Sequence, residues 1–152
     1  MSEAVAKNII SILKVKGFEH KISDHEPVFT SQQAADVRGA ELKTGVKAMV
    51  LKTPEGKFIL ALCPADIRVD IKELSGREGV KKLNLATPEE VKKITDCEVG
   101  SVPPFGHKRD LKTYMFRGVL ENEWVNFNIG LHTKSAHMKS VDLKEIIDTI
   151  IV

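Results

Sequence analysis

The stretch Gly100-Ser101-Val102-Pro103-Pro104-Phe105-Gly106 constrains this chain more than any other. Two adjacent prolines fix two φ angles and remove two N–H donors, so this loop loses less entropy on folding than most. The bracketing glycines permit φ > 0 or a close backbone approach to a ligand. His107, Lys108 and Arg109 follow at once and give the loop a basic edge. Such a loop suits the rim of a pocket for an anionic or ester-bearing substrate. A tight crossover between two elements is the plainer use, and these residues leave both open.

A chain of 152 residues has the size of one domain and buries about 70% of its unfolded surface. Residues 1–152 read as a single compact domain, with no linker and no internal repeat. Lys plus Arg total 23 against 21 for Asp plus Glu. No basic tail therefore announces nucleic acid; RNA would need a local patch, and DNA is not expected as a partner. The apolar runs fall short of a membrane span, so no membrane partner is expected either. The start, Met-Ser-Glu-Ala-Val-Ala-Lys, has no hydrophobic signal core. Cys63 and Cys97 do not make a disulfide framework, and a cytoplasmic location is expected.

Periodicity divides the chain into alternating elements. Residues 3–16 read as an amphipathic helix with Val5, Ile9, Ile12 and Leu13 on one face, started by Ser2 and Glu3 and stopped by Gly17. Residues 18–25 alternate as a short strand. Thr30 or Ser31 caps a brief helix ending at Gly39. The clearest signal is a hairpin, 46–53 and 57–63, around Pro54-Glu55-Gly56. Its alternation puts Lys47 on the same face as Met49 and Leu51. A short helix or turn is expected over 66–75, and an extended piece at Leu83 and Leu85. Thr87, Pro88 and Glu90 then start a helix running to about Thr95. Strands follow over 114–119 and 124–129, then a polar extended segment, and a last helix carries Leu143, Ile146, Ile147 and Ile150. The sum is an α+β fold, a mixed, barrel-like sheet with surrounding helices.

The search for chemistry excludes more than it finds. His132 and His137, like His20 and His25, lack helical zinc spacing, and no Cys-x-x-Cys pairs with them, so no metal site and no cofactor are expected. No Gly-x-Ser-x-Gly elbow or phosphate-binding glycine loop occurs. Cys97 would act as a nucleophile only beside an activating histidine, and Cys63 reads as a buried small side chain. Lys47 stands out because lysine is rarely buried without a partner. It either snorkels from an edge strand or holds a phosphate or polarised oxygen at a pocket. Lys81, Lys82, Lys92, Lys93, Lys108, Arg109 and Lys112 form either a discontinuous RNA-facing surface or a solubilising one.

At Lys47 and the Gly100–Gly106 segment the chain resembles the YbaK/ProX family of aminoacyl-tRNA deacylases, related to the editing domain of bacterial prolyl-tRNA synthetases. The resemblance runs from about Val28 to Leu143, through Gly45-Val46-Lys47-Ala48-Met49-Val50, Phe58 to Asp66, Val69-Asp70, Ala86 to Ile94 and Asn128-Ile129-Gly130. It is strongest over Val99 to Gly106. It implies a compact α+β domain and hydrolysis of the ester of mischarged tRNA in trans, without a protein nucleophile. The implied partners are the tRNA acceptor end and a prolyl-tRNA synthetase. Lys47 takes the functional lysine's place, and the N–H groups of Gly100, Ser101 and Val102 are placed to hold an oxyanion. Pro103, Pro104, Phe105, Gly106, His107, Lys108, Arg109, Gly130 and His132 make up the implied substrate-binding set. The chain departs from the family at Ser101, where many relatives carry glycine, and at Arg117, near a common acidic position. The expected substrate is tRNA(Pro) carrying cysteine or alanine, with serine and threonine left open. A non-catalytic tRNA- or synthetase-associated module and a purely structural protein are the competing functions. A cavity shared by Lys47 and the Gly100 loop would count against the structural reading.

Overall fold

The most apolar run of the chain, Phe58–Pro64, becomes the central strand β3, and the rest is arranged on its two faces. The structure, a computed structural model, describes residues 2–152. Residue 1 of the expected domain and the capping role expected of the Ser2 side chain lie outside the described residues. Every residue of β3 from Ile59 on is buried, as befits a strand covered on both sides. β2 (Val46–Lys52) pairs with it antiparallel, Lys47 opposite Cys63 and Lys52 opposite Phe58. The turn between them closes through Thr53, whose N–H donates to the Lys57 carbonyl at 2.8 Å.

Two sheets result. β1 (His20–Asp24), β7 (Lys134–Lys139) and β6 (Trp124–Asn128) form an antiparallel sheet in the order β1-β7-β6. The other is mixed, in the order β4-β2-β3-β5-β8, with β4 at Asn84–Leu85, β5 at Lys112–Met115 and β8 at Thr149–Ile151. β5 runs parallel to β3 and β8 parallel to β5, whereas β2 and β4 are antiparallel neighbours. A single bridge from Gly45 to Asn126 joins the sheets. Closure into one barrel requires the two end strands to pair, and β4 and β8 end the five-stranded sheet instead. The mixed sheet and the α+β fold are as expected, and the strands are arranged as this pair of sheets.

The helices follow their capping signals. α1 (Ser2–Lys16) buries Val5, Ile9 and Leu13 against the main core, with Val46, Val50, Leu60, Leu62, Phe127 and Met138. α2 (Ser31–Arg38) starts in a Thr30–Gln33 capping box and stops at left-handed Gly39. α4 (Pro88–Thr95) has its own box from Thr87 and Glu90, and Glu90 also holds Lys52 at 2.5 Å. α3 (Ile71–Glu78) begins later than expected because the Asp70 side chain caps it, accepting from the Glu73 N–H. It covers a smaller core on the other face of the sheet, made by Leu51, Ile59, Ala61, Leu74, Leu83 and Tyr114. The last helix, α5 (Ser140–Ile146), is shorter than its apolar pattern suggests, because Ile150 belongs to β8.

Candidate active site

β4 covers the outer edge of β2 only at Leu51 and Lys52, and the Ala86 N–H extends that pairing to the Val50 carbonyl at 2.9 Å. A strand repeats every two residues, so the N–H and C=O of Ala48 face the same edge where β4 no longer lies. Here a cavity of about 220 Å³ opens. Its walls are Val46 to Val50 of β2, Thr30, Ala34 and Arg38 of α2 and its cap, Val99, Gly100 and Val102, and Asn128 at the end of β6. Lys47 therefore shares one cavity with the Gly100 loop, over about fifty residues of intervening chain. The lining carries two cations, Lys47 and Arg38, and no carboxylate. Among the described residues neither cation forms an ion pair. An anion entering this space meets uncompensated positive charge in a partly dehydrated setting, where Coulomb attraction is several-fold stronger than in water.

The loop beside Lys47 is rigid for identifiable reasons. α4 ends at Asp96 in the left-handed region (φ 63°), and the Thr95 hydroxyl accepts the Cys97 N–H at 3.1 Å. Ser101 then folds back, its N–H and its hydroxyl both donating to the Glu98 carbonyl, at 3.0 and 2.9 Å. The Ser101 side chain is buried within that turn and lines no part of the cavity. Its N–H is engaged, unlike those of Gly100 and Val102, which have no acceptor among the described residues. Gly100 has φ 90°, and a Cβ there would stand 3.6 Å from both His132 Cε1 and the Phe29 carbonyl. Gly130 donates its N–H to the Ser101 carbonyl at 3.0 Å. The His132 ring donates from Nδ1 to the Val28 carbonyl at 2.9 Å. Gly130 and His132 thus brace the loop from behind, outside the cavity lining.

Beyond Val102 the loop leaves the cavity. Pro103, Pro104 and Phe105 are buried, and the Phe105 ring meets Phe127 edge-on at 6.0 Å. Gly106 lies against α1: its carbonyl accepts from Asn8 Nδ2 at 3.2 Å, and an added Cβ would be 2.6 Å from Ile9 Cγ1. His107 donates from Nε2 to the Pro103 carbonyl at 2.5 Å, and burial holds its pKa below the ordinary value. Lys108 and Arg109 are exposed, Arg109 at a second hollow shared with Lys16 and Ile147. Of the expected substrate-binding set, then, none lines the cavity with Lys47; the catalytic set enters it through Lys47, Gly100 and Val102.

Both thiols are buried, and burial pushes each up to about 11, Cys63 despite the nearby Lys47. Neither is a thiolate nucleophile at neutral pH. No group of three or more acidic, histidine or cysteine side chains among the described residues is arranged to hold a metal. No described helix is long and apolar enough to cross a membrane. Arg38 and Asn128 are the lining residues that sequence reasoning passed over. Arg38 looks like any cation in a last helical turn, and Asn128 like a polar strand end.

The chain is similar to known proteins over most of its length. The family model described as "Aminoacyl-tRNA editing domain" matches residues 25–146. The multifunctional Ser/Thr-tRNA deacylase ProXp-y of Escherichia coli (strain K12) is 30% identical over 144 residues, covering 92% of this chain and 86% of that protein. A proline–tRNA ligase of Trichlorobacter lovleyi is 29% identical over 108 residues, 71% of this chain but 18% of the ligase. Among solved structures, a candidate trans-editing enzyme for prolyl tRNA synthetase superposes with a TM-score of 0.86 at 27% identity, covering 97% of this chain and 94% of that one.

Proposed function

This chain belongs to the aminoacyl-tRNA editing domain family, and on that premise we propose that it acts in trans as a deacylase, hydrolysing the ester between a mischarged amino acid and the 3′-terminal adenosine of tRNA. The observation that carries the reading is the single cavity lined by Lys47, Gly100 and Val102, with two cations and no carboxylate. In the proposed reaction water attacks the ester carbonyl carbon and the carbonyl electron pair moves onto oxygen. The free N–H groups of Gly100 and Val102 receive that oxyanion; one such donor is commonly worth about 3 kcal/mol. The intermediate then expels the ribose oxygen, which takes a proton, leaving a free amino acid and an uncharged tRNA end. The neighbouring ribose hydroxyl of the substrate helps to place the water. Lys47 anchors the terminal phosphate or ribose end and adds positive potential, so placement and electrostatics supply the rate.

Two substrate readings go forward. One is tRNA(Pro) carrying cysteine or alanine, with a prolyl-tRNA synthetase as associated partner. The other is tRNA carrying serine or threonine, favoured by the name of the 30% identical E. coli relative. Release of free amino acid from Cys-tRNA(Pro), Ala-tRNA(Pro), Ser-tRNA and Thr-tRNA separates them. Hydrolysis well above the spontaneous rate is expected for one pair. Binding of tRNA without hydrolysis of any ester would instead identify a non-catalytic module.

A further inference from the structure

Arg38 closes α2, where a basic side chain ordinarily does no more than face the negative end of the helix dipole. Its guanidinium instead crosses to the three-stranded sheet. Nε donates to Ser135 Oγ at 2.9 Å and Nη2 to Asn128 Oδ1 at 3.0 Å. Burial lowers its pKa to about 10, which leaves it charged at neutral pH, and no carboxylate among the described residues pairs with it.

A guanidinium can only donate. Asn128 must therefore turn its carbonyl oxygen toward Arg38, which leaves its Nδ2 for the Gly100 carbonyl, met at 2.6 Å. The peptide between Gly100 and Ser101 is thereby fixed on both sides, its C=O by Asn128 and its N–H by the Glu98 carbonyl at 3.0 Å. The unengaged N–H groups of Gly100 and Val102 flank this fixed peptide. Ser135 supports the arrangement from below, its Oγ also lying 2.7 Å from His25 Nε2. The His25 Nδ1 proton goes to the Glu26 carbonyl at 2.8 Å, and Ser135 Oγ, which accepts from Arg38, also lies 3.4 Å from Asn128 Oδ1 as a donor.

We propose that Arg38 is a positioning residue for ester hydrolysis: it locks the Asn128 amide, which holds the Gly100–Ser101 peptide so that the Gly100 and Val102 N–H groups are aimed at the oxyanion. The proposal rests on the reading of this cavity as the hydrolytic site. Two variants test it. Asn128→Asp keeps an acceptor for Arg38, and a better-charged one, while removing the donor that Gly100 requires. Arg38→Lys keeps the charge but loses the fork that reaches Ser135 and Asn128 together. Each is expected to lower kcat at least about 10-fold with KM within about twofold, the signature of an interaction made only in the transition state. The double variant should fall little further, because both act through one path. The amide resonances of Gly100, Ser101 and Val102 should shift in Arg38→Lys, although Arg38 hydrogen-bonds to Ser135 and Asn128 and to none of them. A wild-type protein inactive on every ester would overturn the hydrolytic reading and this role with it. An active wild type whose Arg38→Lys variant retains kcat and those resonances would overturn the role alone.

Discussion

At the scale of single residues, the site depends on which backbone donors are free. Ser101 is the instructive case. The sequence singles it out because it stands where many relatives carry glycine, so that its hydroxymethyl group either narrows the pocket or donates a hydrogen bond. In the structure its hydroxyl is turned away, donating to the Glu98 carbonyl at 2.9 Å. Ser101→Ala should therefore cost about 1 kcal/mol of stability, the usual worth of one neutral hydrogen bond. It should leave the ranking of amino acids released unchanged. A denaturant titration beside the aminoacyl-tRNA panel reads both; an altered ranking with unaltered stability would put Ser101 back among the specificity residues. The two-residue period puts Lys47 on the Met49 side of the strand, but Val46 to Val50 all line the cavity, so the strand edge and not the parity gives Lys47 its place there. Arg38 was not legible in the sequence, since its meaning comes from Ser135 and Asn128, 97 and 90 residues away. No local pattern encodes such a meeting.

At the scale of elements, local signals held where a cap or a turn specified them. The Thr30 and Thr87 caps, the Gly39 stop and the β2–β3 hairpin all appear within a residue or two of where the sequence puts them. β5 is a strand as expected but ends at Met115, with Arg117–Glu121 forming a 3-10 helix, and β8 stands where the sequence suggests the end of the last helix. Each joins the sheet by parallel pairing with a strand distant in sequence, and short apolar runs carry no sign of that partner. The proline loop divides into two functions along its length. Gly100 and Val102 face the cavity, whereas Pro103 to Gly106 anchor the loop on α1 and the core. Gly106→Ala adds a Cβ that would lie 2.6 Å from Ile9 Cγ1, at φ 82°. The left-handed strain alone is worth about 1–2 kcal/mol, and displacement of Ile9 adds to it. The variant should unfold at lower denaturant while its folded fraction keeps the substrate ranking. A changed ranking without loss of stability would mean that this end of the loop meets substrate.

At the scale of the whole molecule, partly enclosed groups, His107, His137 and Glu78 among them, set an acid limit on stability. Burial holds His107 below its ordinary 6.5, against the opposing pull of the Pro103 carbonyl and Asp110. Unfolding restores the ordinary value, so the unfolded chain takes up a proton that the folded one resists. The contribution of His107 is whole above pH 6.5 and is lost as pH falls through the folded value. Glu78 adds a second step lower down. Burial raises its pKa, but hydrogen bonds from Lys112, at 2.6 Å, and Tyr114 outweigh it, leaving the group below 4.5. Its contribution is present above 4.5 and lost as pH falls through the folded value. The denaturant midpoint should accordingly fall as pH drops below 6.5, and again below 4.5. His107→Gln should flatten only the first fall; an unchanged first fall would assign it to other groups.

If the cavity joining Lys47 to the Gly100 loop performs the hydrolysis, kcat/KM of Lys47→Ala on the best mischarged tRNA must fall. Circular dichroism should show a folded variant, since Lys47 lines the cavity and contributes to neither buried cluster. The predicted loss is at least about 10-fold, or roughly 1.4 kcal/mol of transition-state stabilisation, with little recovery in Lys47→Arg. Hydrolysis at the wild-type rate by folded Lys47→Ala would instead place the reaction elsewhere on the molecule.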